Sequence, residues 1–149
     1  DSNGFYFQDA TGDGNARTSD GVFVYTGSSP EVIVGDNVQV TGNVGEYQPG
    51  GGDNLTITQI YASGTDQRVD VISSGNALPA AIVMAPPTEI INDDTLADYD
   101  PETDGLDYFE SVEGMLVTVE DAVATSPSNN YGEVFVVGRF SNWPHGMAG

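Results

Sequence analysis

Val34-Gly35-Asp36-Asn37-Val38-Gln39-Val40-Thr41-Gly42-Asn43-Val44-Gly45-Glu46-Tyr47 is the stretch on which the reading of the fold turns. From Val38 to Val44 a valine falls at every second residue, apart from Gly42, and a period of two puts those side chains on one face of a strand. Gly35-Asp36 just before it is turn chemistry. Gly42 interrupts the run. A glycine inside a strand marks a bulge or a sharp bend, and small barrels turn their corners this way.

Working outward, similar runs recur: Phe5-Tyr6-Phe7-Gln8, Val22-Phe23-Val24-Tyr25, Leu55-Thr56-Ile57-Thr58-Gln59-Ile60-Tyr61, Val69-Asp70-Val71-Ile72, Met115-Leu116-Val117-Thr118-Val119 and Val134-Phe135-Val136-Val137. They are rich in β-branched and aromatic residues and bounded by Gly, Asn, Asp and Pro, so they read as short strands. Many short strands with turns between them predict an all-β barrel or sandwich. The middle differs. An apolar stretch from Ala80 ends at Pro86-Pro87, and an acidic segment follows from Asn92 to Asp107. A short helix is expected near Leu106 to Val112, ended at Gly114. Ser141 to Gly149 has no regular period and reads as a linker or tail, and His145 within it has no catalytic company.

Charge narrows the function classes. Twenty-three acids face three arginines in 149 residues, for a formal net charge of −20. Such a surface repels phosphate backbones and suits solubility in salty water or the holding of divalent cations. There is no cysteine, which excludes disulfides, thiolate zinc sites and a cysteine nucleophile. Apolar residues make up 38% and fall in periodic runs, which argues against disorder. No apolar stretch approaches the ~20 residues of a membrane span. The chain starts at Asp1 and reads as a piece of a larger protein.

One loop has metal-ligand spacing. Asp9, Thr11, Asp13 and Asn15 place side-chain oxygens on alternate residues, Gly14 sits at the sixth position and Asp20 at the twelfth. Hard cations such as Ca²⁺ or Mg²⁺ need several oxygens, and a turning loop can aim alternate residues at one centre. The flanks read as strands, however, and Asp20 replaces the usual bidentate Glu. Loops rich in Asp, Gly and Asn also arise for turn reasons alone. Asp100-Pro101-Glu102-Thr103-Asp104-Gly105 has similar spacing but Ser111 at its twelfth position, and reads as a solvated acidic loop.

Four phrases together resemble a known family: Gly4-Phe5-Tyr6-Phe7-Gln8-Asp9, Ser19-Asp20-Gly21-Val22-Phe23-Val24-Tyr25, Val34 to Gly42, and Glu113-Gly114-Met115-Leu116-Val117. They are similar to the OB-fold-like domain that precedes the endonuclease/exonuclease/phosphatase domain of large secreted bacterial nucleases. The resemblance implies a five-stranded OB-fold-like barrel over residues 1–75, an acidic connecting segment with a short helix over 76–112, a C-terminal β-hairpin packing on the barrel over 113–140, and a tail over 141–149. The first barrel strand of that family is missing here or replaced. The C-terminal hairpin, or a strand-exchanged partner, is expected to cover the edge it leaves. The family's catalytic carboxylates and histidines have nothing to map onto, so the implied role is a non-catalytic accessory module. It would act outside the cell, positioning the downstream nuclease domain or its nucleic-acid substrate. OB-folds stack bases on aromatics in a basic groove. Tyr6, Tyr25, Tyr47, Tyr61 and Arg17 are the candidates for that contact, bridged by Ca²⁺ or Mg²⁺ because a basic groove is lacking. The alternative is a Ca²⁺-stabilised structural or adhesion module with no nucleic-acid role. No nucleophile-and-base grouping supports an enzyme.

Overall fold

A computed structural model describes residues 3–50, 52, 55–89, 98–130 and 132–138. These residues form a mostly β structure with one helix among them. The chain divides into two compact units. The first comprises Asp1–Gly14, Asp20–Ala80 and Glu113–Met115; the second comprises Asn15–Ser19, Ala81–Val112 and Leu116–Gly149. The expected tail over 141–149 lies outside the described residues.

The first unit holds β1 (Gly4–Gln8), β2 (Gly21–Tyr25), β3 (Asn37–Thr41), β4 (Asn43–Tyr47), β5 (Ile57–Tyr61) and β6 (Arg68–Ser73). Four of them make one sheet in the order β1-β2-β5-β4, with β2 and β5 parallel and the outer pairs antiparallel. β3 pairs instead with β6 in a separate antiparallel ladder. There Val38 opposes Val71 and Val40 opposes Val69. Val38 and Val40 are half-buried while Asn37, Gln39 and Thr41 are exposed, as strict alternation requires.

Gly42 is the break between the two ladders, at the residue where the sequence placed a bend. A Cβ there would lie 2.3 Å from the Tyr61 carbonyl oxygen and 2.6 Å from Ile60 Cγ2, so the chain passes β5 too closely for any side chain. The break also has a consequence that the period-two reading missed. Val44 falls on the far side of it, in another sheet from Val38 and Val40, and is 72% exposed. The bent segment is therefore shared between two sheets, and the described sheets do not close into the expected barrel.

Register assigns each side chain of the large sheet to a face. Phe5, Phe7, Val22, Val24, Thr58 and Ile60 share one face, and Val24 at its centre is fully buried. The opposite face carries the tyrosines discussed below.

The second unit is built from much shorter ladders. β7 (Ile82–Val83) pairs in parallel with β8 (Val117–Thr118), and β9 (Val123–Ala124) pairs antiparallel with β10 (Val136–Val137). The β9–β10 pair lies within the hairpin expected over 113–140. The helix α1 covers Gly105–Ser111, one residue earlier than expected. Asp104 accounts for that start. Its Oδ1 accepts from the Leu106 N–H at 2.8 Å, the N-cap arrangement that satisfies an orphan donor of the first turn.

Candidate functional site

The face of the large sheet opposite Val24 gathers the sequence-predicted tyrosines. Tyr6 opposes Phe23, Tyr25 opposes Tyr61, and Tyr47 opposes Ile57, all at even-numbered intervals along their strands. Tyr6, Tyr25, Tyr47 and Tyr61 thus share one face with Phe23, although they come from four strands. The rings interact. Tyr6 and Phe23 have centroids 4.9 Å apart, and Tyr25 and Tyr61 meet edge-to-face at 6.0 Å. Such tilted contacts suit ring quadrupoles better than flat stacking.

Glycine makes room for this aromatic layer. A Cβ at Gly4 would lie 2.5 Å from Phe23 Cζ, and one at Gly45 would lie 3.1 Å from Tyr61 Cε2. Both rings lie across a neighbouring strand where that strand carries no side chain. Tyr6 is 58% and Tyr47 48% exposed, while Tyr25 and Tyr61 are half-buried. Gln59, in the middle of the same face, is buried.

Arg17 belongs to the second unit, not to the unit that carries the tyrosines. Its guanidinium donates to the Tyr99 carbonyl, stands 5.5 Å from the centre of the Tyr99 ring and pairs with Asp100 at 3.8 Å. A cation over a ring face beside a carboxylate combines cation–π and Coulomb attraction. Tyr99 and Asp100 were not anticipated as partners. They lie 82 and 83 residues from Arg17, and no local pattern announces so distant a pair. The Tyr99 phenol is pushed up by burial, then by the charges of Asp107 and Glu110, with Arg17 opposing them. Arg68, the other described arginine, donates from Nε to Asp70 Oδ2 at 2.6 Å.

The oxygen-rich loop from Asp9 to Asp20 is closed by its own hydrogen bonds. Asp9 Oδ1 accepts from the Thr11 N–H and the Thr11 hydroxyl, each at 2.8 Å. Asp20 Oδ1 accepts from the Asp13 N–H at 3.0 Å, and the Asp9 N–H donates to the Asp20 carbonyl at 3.0 Å. Gly12 has φ +63°, and a Cβ on it would lie 2.4 Å from Asp20 Oδ2. Asn15 Oδ1 accepts from the Arg17 N–H at 3.1 Å. The Thr11 backbone bond, then its hydroxyl, hold the Asp9 carboxyl below the usual carboxylate range. Among the described residues no group of three or more His, Cys, Asp or Glu side chains converges to hold a metal ion. The second acidic loop is similarly self-contained: Asp100 accepts from the Thr103 hydroxyl at 2.8 Å and Asp104 caps α1. Nor is any described helix long and apolar enough to cross a membrane.

Against known proteins, the family model described as "Domain of unknown function (DUF8508)" matches residues 71–148. No curated protein and no solved structure matches the chain.

Proposed function

The chain belongs to the DUF8508 family of domains of unknown function, and on that premise we propose, from its own surfaces, that it is a non-catalytic OB-like accessory module of a secreted bacterial nuclease. In this reading it docks a partner polypeptide, the nuclease's catalytic domain, rather than gripping the phosphate backbone itself. The observation that carries the choice is the engagement of both described arginines with carboxylates of the chain itself, Arg17 with Asp100 and Arg68 with Asp70. With both described arginines engaged internally and a net charge of −20, phosphates meet repulsion.

The sheet order supports the OB-like part of the reading. A β1-β2-β5-β4 sheet with its central pair parallel becomes a five-stranded closed barrel if one further strand joins β1 to β4. In this proposal a strand exchanged from a second copy supplies it. Ca²⁺ or Mg²⁺ enters as a bridge between surface carboxylates and phosphates. It is not a folding requirement, because the loop of Asp9, Thr11, Asp13, Asn15 and Asp20 closes on its own hydrogen bonds.

The test is an anisotropy titration of a labelled single-stranded oligonucleotide in chelator, and again with millimolar Ca²⁺ or Mg²⁺. The expected result in chelator is a dissociation constant weaker than the roughly 10⁻⁴ M end of non-specific binding. Micromolar binding in chelator would overturn the reading.

A further inference from the structure

We infer that the tyrosine face of the four-stranded sheet receives a basic, arginine-containing segment of a partner polypeptide. This rests on the docking role proposed above and names the chemistry of its partner. Three observations lead to it.

The first is the face itself. Tyr25, Tyr47 and Tyr61 come to one side of the sheet by register, with Tyr47 48% exposed at the β4 edge. The Tyr61 ring lies over Gly45. Tyr61 is half-buried and Tyr47 more exposed, and ring faces attract cations. The second is charge. The unit that carries this face has eleven carboxylates and a single arginine, Arg68, which is bonded to Asp70. Its field draws cations in and drives anions off. This charge acts through the unit's field and not by contact on the face, because Glu46, beside Tyr47, lies by register on the opposite side with Thr58, whose hydroxyl donates to it at 2.8 Å. The third is a contact of the same kind inside this protein. Arg17 is held in the second unit between a tyrosine ring and a carboxylate, Tyr99 and Asp100. A docked arginine would find tyrosine rings on the sheet within the field of the unit's carboxylates.

Arginine suits the site better than lysine. Its planar guanidinium lies flat on a ring and is less strongly hydrated than an ammonium, so it leaves water more readily. A face that only collected positive charge would not discriminate between them.

The experiment uses the full chain and three labelled probes at 150 mM salt: an arginine-rich nonapeptide, a lysine nonapeptide of equal charge, and oligothymidine in chelator. The arginine peptide is expected to bind at least about 3-fold more tightly than the lysine peptide. Tyr47→Leu is expected to weaken arginine-peptide binding by about 2- to 5-fold, the range for one exposed ring, and Tyr47→Phe to keep it within about 2-fold. Tyr61→Leu gives a second reading, with circular dichroism to show that the sheet persists. Equal binding of the two peptides, or binding indifferent to Tyr47→Leu, reduces the effect to bulk attraction and overturns the inference while leaving the docking role standing. Absence of peptide binding overturns it likewise. Oligothymidine bound in chelator, and lost in Tyr47→Leu, overturns both.

Discussion

In the first unit, five- and six-residue strands pair over three to five positions, and a fully buried valine, Val24, sits at the centre of the large sheet. In the second, every described strand is two residues long and side chains do much of the joining. Asp104 caps α1, Asp107 Oδ2 accepts from the Asp100 N–H at 2.5 Å, and the Tyr108 hydroxyl accepts from the Ala85 N–H at 2.9 Å. The Tyr99 hydroxyl donates to the Asp107 carbonyl at 3.2 Å. The difference teaches where each unit is vulnerable. A ladder fails by steric intrusion on its backbone; a polar network fails by loss of one acceptor. The family match, over residues 71–148, covers most of the polar unit and only the end of the ladder unit.

The largest effect should come from intrusion. Gly42→Ala places a methyl 2.3 Å from a backbone oxygen of β5, where only a shift of the strand relieves it. Overpacking of this kind costs about 1–3 kcal/mol, and contact with backbone puts this case at the upper end. Hydrogen exchange should show faster opening of β4 and β5 with the α1 amides unchanged. Equal acceleration in α1 would mean that the two units unfold as one, and the comparison would fall.

Next is loss of a cap. Asp104→Ala removes the acceptor for the Leu106 N–H, and N-cap removal costs about 1–2 kcal/mol. Asp104→Asn keeps an acceptor oxygen and should recover most of it. The readout is the exchange rate of α1 amides, with the β1–β2 amides as the internal control. Here the polar unit should respond and the ladder unit should not.

Acid should act in the opposite sense, on the first unit. Asp9 is held below the ordinary carboxylate value by Thr11, and Asp36 by Ser74 and then the Ile33 backbone. A carboxyl whose folded value lies below its unfolded value stabilises the fold fully above the unfolded value, near about pH 4, and loses that contribution as pH falls through the folded value. Denaturant midpoints of the first unit should therefore drop below about pH 4. Asp9→Asn and Asp36→Asn, which do not titrate, should flatten the drop. A wild-type midpoint constant down to pH 2.5 would contradict the assignment.

What the sequence made legible follows the same division. The strands of the first unit could be read because alternation is local and each run is long enough to show it. Even the break at Gly42 was visible, as a glycine inside a valine run. That the break would split the segment between two ladders was not visible, since pairing partners such as Asn43 and Tyr61 are chosen at a distance. The shared face of Tyr6, Tyr25, Tyr47 and Tyr61 is a product of register, and register needs strand order. In the second unit two-residue strands carry no measurable period, so β7 and β9 could not be recognised. Arg17 was placed with the tyrosines because it follows the β1 strand in a polar loop. Its actual partners are fixed by tertiary contact alone.

Arg17 supplies the smallest and sharpest test of that point. Its ion pair with Asp100 is about half exposed on both sides, and exposed pairs contribute roughly 0–1 kcal/mol. Arg17→Ala should therefore scarcely move the stability of the second unit. Its electrical effect on Tyr99 should still be measurable. Burial and the carboxylates of Asp107 and Glu110 raise the phenol's titration, and the guanidinium pulls it back. Removing the arginine removes the only one of these influences that favours the phenolate, so the late-titrating tyrosine should move higher still. Arg17→Lys should restore the charge but not the planar stacking, and bring the titration back only in part. In ultraviolet titration above pH 10, an Arg17→Ala midpoint equal to or below that of the wild type would show that Arg17 does not stand over Tyr99 in solution. Arg17 would then be available for phosphate, as its place in the loop first implied.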